Sequence, residues 1–253
     1  MRRCFALILV CLFLTANAFG QDKLKENEQT LRVKVAQAVR MLAAEGLVDS
    51  SGHVSARIPG TTKILINSRD ASRETEQPQD IVMVDINDRK IAGQEPDETF
   101  IHTSIYRARP DVMSVIHTHS LYATAFTVAR KEILPVSVHG AIFADGVPEF
   151  ARAGKVTDSK LGDELAKTLG SHRAVLMRMH GAAIVGSYLE EAFCAALQLE
   201  ENAKIQLTAT TLGPVDRMTP EEVAQSIKES WTPRSIAKRW DYYRKRDESA
   251  SRP

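Results

Sequence analysis

Three histidines and one glutamate in this 253-residue chain have the types and spacing to hold a divalent metal ion. Ile116-His117-Thr118-His119-Ser120 follows a short apolar run, Val112 to His117, that reads as a strand. Residues two apart on an extended backbone point the same way, so both imidazoles can face one ion. Met179-His180-Gly181-Ala182 ends a second apolar run, Ala174 to Met179, and adds the third nitrogen expected of an open catalytic site. Asp97-Glu98-Thr99 opens a predicted helix, Thr99 to Ala108, stopped before Pro110. Free N–H groups and the helix dipole favour a carboxylate there, which accounts for one acid. The other, Glu98, is the candidate to ligate the resting ion or to carry the substrate's proton. Taken singly, each motif also has an ordinary structural explanation, and only the combination points to a metal site.

The elements that must position these groups alternate in period. Leu31, Val35, Val39 and Leu42 recur near helical spacing, and a helix is expected from about Lys23 to Leu47, with Gly46 at its end. Ser51-Gly52-His53-Val54-Ser55-Ala56-Arg57 reads as a turn entering a strand, Pro59-Gly60 as a hairpin turn and Lys63 to Asn67 as a second strand. Arg69 to Gln79 is expected as loop, Ile81 to Ile86 as a strand, with Ile91 following after a turn. Further helices are expected at Leu121–Ala129, Lys160–Leu169 and Leu189–Ala209, and further strands at Ile133–Val138 and Ala141–Phe143. No internal repeat or low-complexity linker divides the chain, so residues 21–253 read as one domain. Its tail, about 219–253, reads as two helices parted near Thr232-Pro233 and carries Trp231, Trp240, Tyr242 and Tyr243 as docking aromatics.

Residues 1–20 carry the pattern of a signal peptide: Arg2 and Arg3, an apolar stretch from Phe5 to Leu14, then small residues before Gln21. The apolar stretch is short for a membrane span, so export to the periplasm or outside the cell is expected, with no stable anchor after cleavage. Cleavage removes Cys4 and Cys11 and leaves Cys194 alone in an apolar helix, as a small buried hydrophobe rather than a nucleophile. Lys+Arg total 33 against 32 Asp+Glu, a balance without the cationic surplus that polyanions seek, so no nucleic-acid partner is expected. His102, one turn after Glu98, is expected either to pack within its helix or to support the metal ligands from behind. His139 and His172 have no partner visible in the sequence, and Arg107 and Arg109 read as surface or interface charges.

The order Glu98, helix, Arg109-Pro110-Asp111-Val112, strand, His117-Thr118-His119, helix, His180-Gly181-Ala182 and Gly186 resembles the class II aldolase/adducin family. The likeness runs from about Leu31 to Leu212, and Ser51 to Arg57 resembles that family's Gly-Asn-(Ile/Val)-Ser-x-Arg turn. The resemblance implies an α/β fold, a three-layer α/β/α domain around a mixed, largely antiparallel sheet. It also implies three histidine ligands, an acidic catalytic residue, and a homotetramer with sites near subunit interfaces. One divalent ion per subunit is expected, zinc first, with manganese, cobalt and iron also suited to the donor set.

Within that family, the sugar-phosphate enzymes hold phosphate through the Asn of the turn, a Thr-Gly on the next strand and a Ser-Ser before the acid. Here those positions read His53, Asn67-Ser68 and Pro96-Asp97. An aspartate repels a dianion and proline donates no backbone N–H, so the phosphate cradle is not intact. The Gly-His-Val-Ser form and Phe143-Ala144-Asp145-Gly146-Val147-Pro148 look more like branches that decarboxylate aromatic or hydroxylated acids, or that act on unphosphorylated substrates. His53, Asn67 and Ser68 are then the expected substrate-binding residues, with His53 either on a substrate carboxylate or bonded to backbone in its turn. Tyr242 or Tyr243 could supply a second acid, or simply anchor the tail.

Aldol cleavage and decarboxylation both leave an electron pair on carbon, which a metal stabilises through the adjacent oxygen as an enolate. The expected function is therefore a metal-dependent lyase cleaving a C–C bond of a small hydroxylated or carboxylated molecule. A non-haem iron oxygenase and a non-catalytic adducin-like binding module are the alternatives. The binding module predicts damaged ligand positions, whereas Glu98 and all three histidines are present.

Overall fold

The computed structural model describes residues 26–88 and 94–250. The signal-peptide pattern and Ile91 lie outside the described residues. The chain order is α1 (Glu28–Ala44), β1 (His53–Arg57), β2 (Lys63–Asn67), β3 (Ile81–Asp85), α2 (Thr99–Ala108), β4 (Ser114–Thr118) and α3 (Leu121–Ala129). There follow β5 (Glu149–Phe150), α4 (Ser159–Leu169), β6 (Ala174–Met177), β7 (Gly181–Gly186), α5 (Leu189–Thr210), α6 (Pro220–Ser230) and α7 (Pro233–Ala250). Among the described residues no helix is long and apolar enough to cross a membrane.

Seven strands form one sheet in the order β3-β2-β1-β4-β7-β6-β5. Every pairing is antiparallel except β5 with β6, so the sheet is mixed and largely antiparallel, as expected. Alternation along the strands feeds two cores. Val54, Leu65, Ile116, Leu176 and Ile184 pack with α1, α3 and α5 on one face. Ile64, Ile66, Val115, Val175 and Val185 pack with α2 and α4 on the other. The layers are therefore α/β/α.

Two segments differ from the sequence reading. Residues Ile133–Val138 and Ala141–Phe143 are not strands; an irregular stretch leads into a 3-10 turn, Val138–Phe143. Side-chain amides of α5 satisfy the backbone that a neighbouring strand would otherwise pair. Gln206 accepts from Leu134 N at 2.8 Å and donates to Glu132 O at 2.9 Å, and Asn202 donates to Leu134 O at 2.8 Å. Conversely, Gly181–Gly186 is a strand that the sequence did not announce. Its residues are buried on both faces, so the run Gly-Ala-Ala-Ile-Val-Gly shows no polar alternation.

The tail docks as expected. Trp240 and Tyr243 pack edge-on against Phe193, with ring centroids 5.2 and 5.5 Å away, while Tyr242 is exposed. Cys194 lies in the same buried layer, where desolvation pushes its thiol up to about 12. Arg107 bonds Asp163 and Arg109 bonds Asp111, so both arginines tie the chain to itself. His139 bonds Glu201 at 2.8 Å, and His172 stands 3.6 Å from Asp145.

Candidate metal centre

The sheet register brings the expected ligands together. On β4, Val115 faces the core beneath α2, and two residues on His117 faces the same way. His119 lies just past the end of β4, its N–H held by Leu47 O at 2.9 Å. His180 does not end β6, as the sequence suggested. It completes the turn Arg178-Met179-His180 between β6 and β7, where Met179 takes the left-handed conformation at φ 55°. Gly181 lets β7 begin against β4: a Cβ there would lie 2.0 Å from Thr118 O. Gly181→Ala is therefore expected to force β7 off β4, costing about 1–3 kcal/mol as overpacking and weakening metal binding. Denaturant unfolding and metal content check this together; wild-type values in both would refute it.

Each imidazole is oriented through Nδ1. That atom lies 3.1 Å from Ala182 O in His117 and 3.1 Å from Gly154 O in His180. In His119 it lies 3.2 Å from Ser51 Oγ and 3.4 Å from Asp49 Oδ1. A donating Nδ1–H leaves Nε2 as the free lone pair, the tautomer a metal needs. The three rings form a near-equilateral triangle, with centroids 4.9, 5.0 and 5.2 Å apart.

Glu98 enters from the start of α2. Its carboxylate does not cap that helix, despite the favourable position. Instead Oε1 accepts from the buried Val156 N–H at 2.9 Å, which leaves Oε2 3.6 Å from His180 Nε2 and 3.9 Å from His117 Nε2. One ligand atom from each of Glu98, His117, His119 and His180 lies within 4.8 Å of all the others.

These residues fit a divalent ion. Nε2 of His117 and of His119 is buried with no hydrogen-bond partner, a costly state for a polar atom unless a ligand occupies the space between them. Desolvation, then the neighbouring imidazoles, hold His117 well below its usual pKa, and His119 is lowered for the same reasons. The His117 and His119 rings are thus held in the neutral form that ligates a metal. Three nitrogens and one carboxylate oxygen form a donor set suited to zinc and related ions.

The expected substrate-binding residues divide. His53 is 4% exposed beside the cluster, 5.3 Å from the His117 ring centroid, with Nδ1 buried and unpartnered. Asn67 and Ser68 bond their own chain: Asn67 Oδ1 accepts from Val54 N at 2.8 Å, and Ser68 Oγ from Ala71 N at 3.3 Å. Asn67 thereby fixes the start of β1, next to His53.

His102, read from the sequence as either a packing residue or a support behind the ligands, stands behind the site. It is fully buried, its ring 5.7 Å from that of His53 and its Nδ1 2.7 Å from Ser55 Oγ, which also contacts Tyr106 OH at 2.9 Å. Desolvation lowers His102 to about 3, so this floor stays neutral.

Sequence reasoning missed Asp49, Ser51 and Arg73. Arg73 is 4% exposed and donates to the carbonyls of Gly52, Ser68 and Ala71, tying the β2–β3 loop to the turn before His53. The run of loop-forming residues gave no sign that one arginine would be buried. The carbonyls of Gly154 and Ala182 and the N–H of Val156 have no signature in sequence at all.

A three-layer α/β/α domain thus carries a His₃Glu cluster that could hold a divalent ion. The chain matches the class II aldolase and adducin N-terminal domain over residues 33–207, and it belongs to that family. It is 31% identical over 198 residues to a 3,4-dihydroxyphthalate decarboxylase of Rhodococcus jostii (strain RHA1), across 72% of this chain and 81% of that one. It is also 31% identical over 163 residues to an L-fuculose phosphate aldolase of Methanocaldococcus jannaschii, across 64% of this chain and 86% of the aldolase. An aldolase II superfamily protein from Pseudomonas syringae has a similar solved structure, with a TM-score of 0.78 at 26% identity over 92% of this chain and 98% of that one.

Proposed function

We propose that this protein is a zinc-dependent lyase that decarboxylates a small hydroxylated acid. The observation that carries the reading is the Glu98 carboxylate, fixed by Val156 N–H with its other oxygen among the imidazoles of His117 and His180. An ion held there would supply Lewis acidity at a substrate hydroxyl oxygen beside the reacting carbon. Glu98 accepts the hydroxyl proton as substrate binds. When the C–C bond to the carboxylate breaks and CO₂ departs, the electron pair stays on carbon, and Glu98 returns a proton to it. The residue ends each cycle as it began. His53 offers its unpartnered Nδ1 to a substrate oxygen at the edge of the cluster. The decarboxylase relatives support this choice, as do Pro96 and Asp97 where a phosphate cradle would need donors.

Export and assembly as a homotetramer belong to the same proposal. Leu121, Val128 and Met179 are 70%, 58% and 51% exposed on segments flanking His119 and His180, an apolar surface that a second copy would cover.

The test is to load the purified protein with zinc, manganese, cobalt or iron and offer 3,4-dihydroxyphthalate or L-fuculose phosphate. CO₂ release from the first, abolished by chelation, is the expected result. Cleavage of the second alone would make the protein an aldolase instead, and turnover of neither would contradict the reading as stated.

A further inference from the structure

Arg69 and Asp97 form an ion pair, Nη2 to Oδ1 at 2.5 Å, between the two chain segments that lead into the site. Arg69 lies two residues beyond Asn67, whose amide fixes the backbone beside His53. Asp97 immediately precedes Glu98, and consecutive Cα atoms are about 3.8 Å apart, so the pair is anchored one residue from a member of the metal cluster. Arg69 N–H donates to Gln94 O at 2.8 Å, which joins the two segments a second time.

Both side chains are substantially exposed, 41% for Arg69 and 53% for Asp97. An exposed pair of this kind contributes little to stability, so its partners exchange at small cost. A guanidinium has five donors arranged to take a carboxylate bidentately, and among the described residues the Asp97 contact is the one that occupies it. Charges of both signs surround the cluster: the Asp49 carboxylate stands 3.4 Å from His119 Nδ1. The segment whose Gly154 O holds His180 and whose Val156 N–H holds Glu98 carries Arg152 and Lys155, both exposed and neither ion-paired with another described residue.

We infer that Arg69 is a specificity-determining residue that takes a second, non-reacting carboxylate of the substrate, with Asp97 as its counter-ion in the resting state. The substrate class is accordingly a hydroxylated dicarboxylic acid: one carboxylate leaves at the metal centre and the other stays on Arg69. This rests on the decarboxylase reading of the site, but its test does not require turnover.

The experiment is calorimetric titration of the zinc-loaded protein with phthalate, which carries two carboxylates and no hydroxyl, and with benzoate, which carries one. Arg69→Gln is expected to weaken phthalate about 10- to 100-fold, the range for losing a charge-assisted hydrogen bond, and to leave benzoate unchanged. Arg69→Lys should fall between wild type and Arg69→Gln, because an ammonium cannot form the bidentate pair. Asp97→Asn should bind phthalate more tightly than wild type. Equal phthalate affinity in wild type and Arg69→Gln would overturn the inference, as would equal weakening of benzoate or no binding of phthalate at all. Arg69-dependent phthalate binding without CO₂ release from 3,4-dihydroxyphthalate would uphold the role of Arg69 while removing the decarboxylase reading.

Discussion

Glu98→Gln is expected to keep its metal and lose turnover by roughly 10²- to 10⁴-fold, the range for removing a positioned acid–base group. The substitution is close to isosteric. Its amide oxygen can still accept from Val156 N–H, the bond that fixes the wild-type carboxylate at 2.9 Å, so the start of α2 stays in place. Three imidazoles remain to hold the ion. On the proposed decarboxylase reading, what disappears is the group that takes a proton from the substrate hydroxyl and returns it to carbon. Metal analysis and CO₂ release on the same sample separate these effects. Near-normal release would take Glu98 out of the chemistry; loss of metal would make it mainly a ligand.

His119→Ala is expected to lose metal binding altogether while the protein stays folded. The His119 side chain contacts Ser51 and Asp49 in a surface turn, and neither contact belongs to the two cores. Its backbone bond to Leu47 O is unaffected by the substitution. The two remaining imidazoles and one carboxylate make an incomplete site, and removing a nitrogen ligand costs far more than removing a group that only orients one. Elemental analysis with far-ultraviolet circular dichroism checks both halves. Wild-type metal content in the variant would remove His119 from the site.

The metal quartet was legible because its chemistry is written in local pattern. His117 and His119 are two apart at a strand end, His180 precedes a glycine, and Glu98 opens a helix. The sheet between them was less legible for a physical reason. Gly181–Gly186 is buried on both faces and so lacks the alternation that marks a half-exposed strand. The stretch before Phe143 misled in the opposite sense: its apolar residues look like strand, yet Asn202 and Gln206 satisfy its backbone from α5.

What holds the ligands in place was the least visible part. Two of the three histidines are oriented by backbone carbonyls, and every residue carries one of those. His102 left two readings open in the sequence, packing or support of the site, and it sits behind His53 because a helix residue four past Glu98 returns to the same face. Asn67 and Ser68, read from the sequence as substrate-binding, also bond Val54 N and Ala71 N, positioning contacts that carry no signature in sequence.

The central claim is that Glu98, His117, His119 and His180 form one metal site. Its most direct test is elemental analysis of the purified protein after dialysis against zinc, manganese, cobalt or iron in turn. The account predicts one ion retained per chain, with zinc held most tightly. Failure to retain any of the four, from protein that is demonstrably folded, would contradict it.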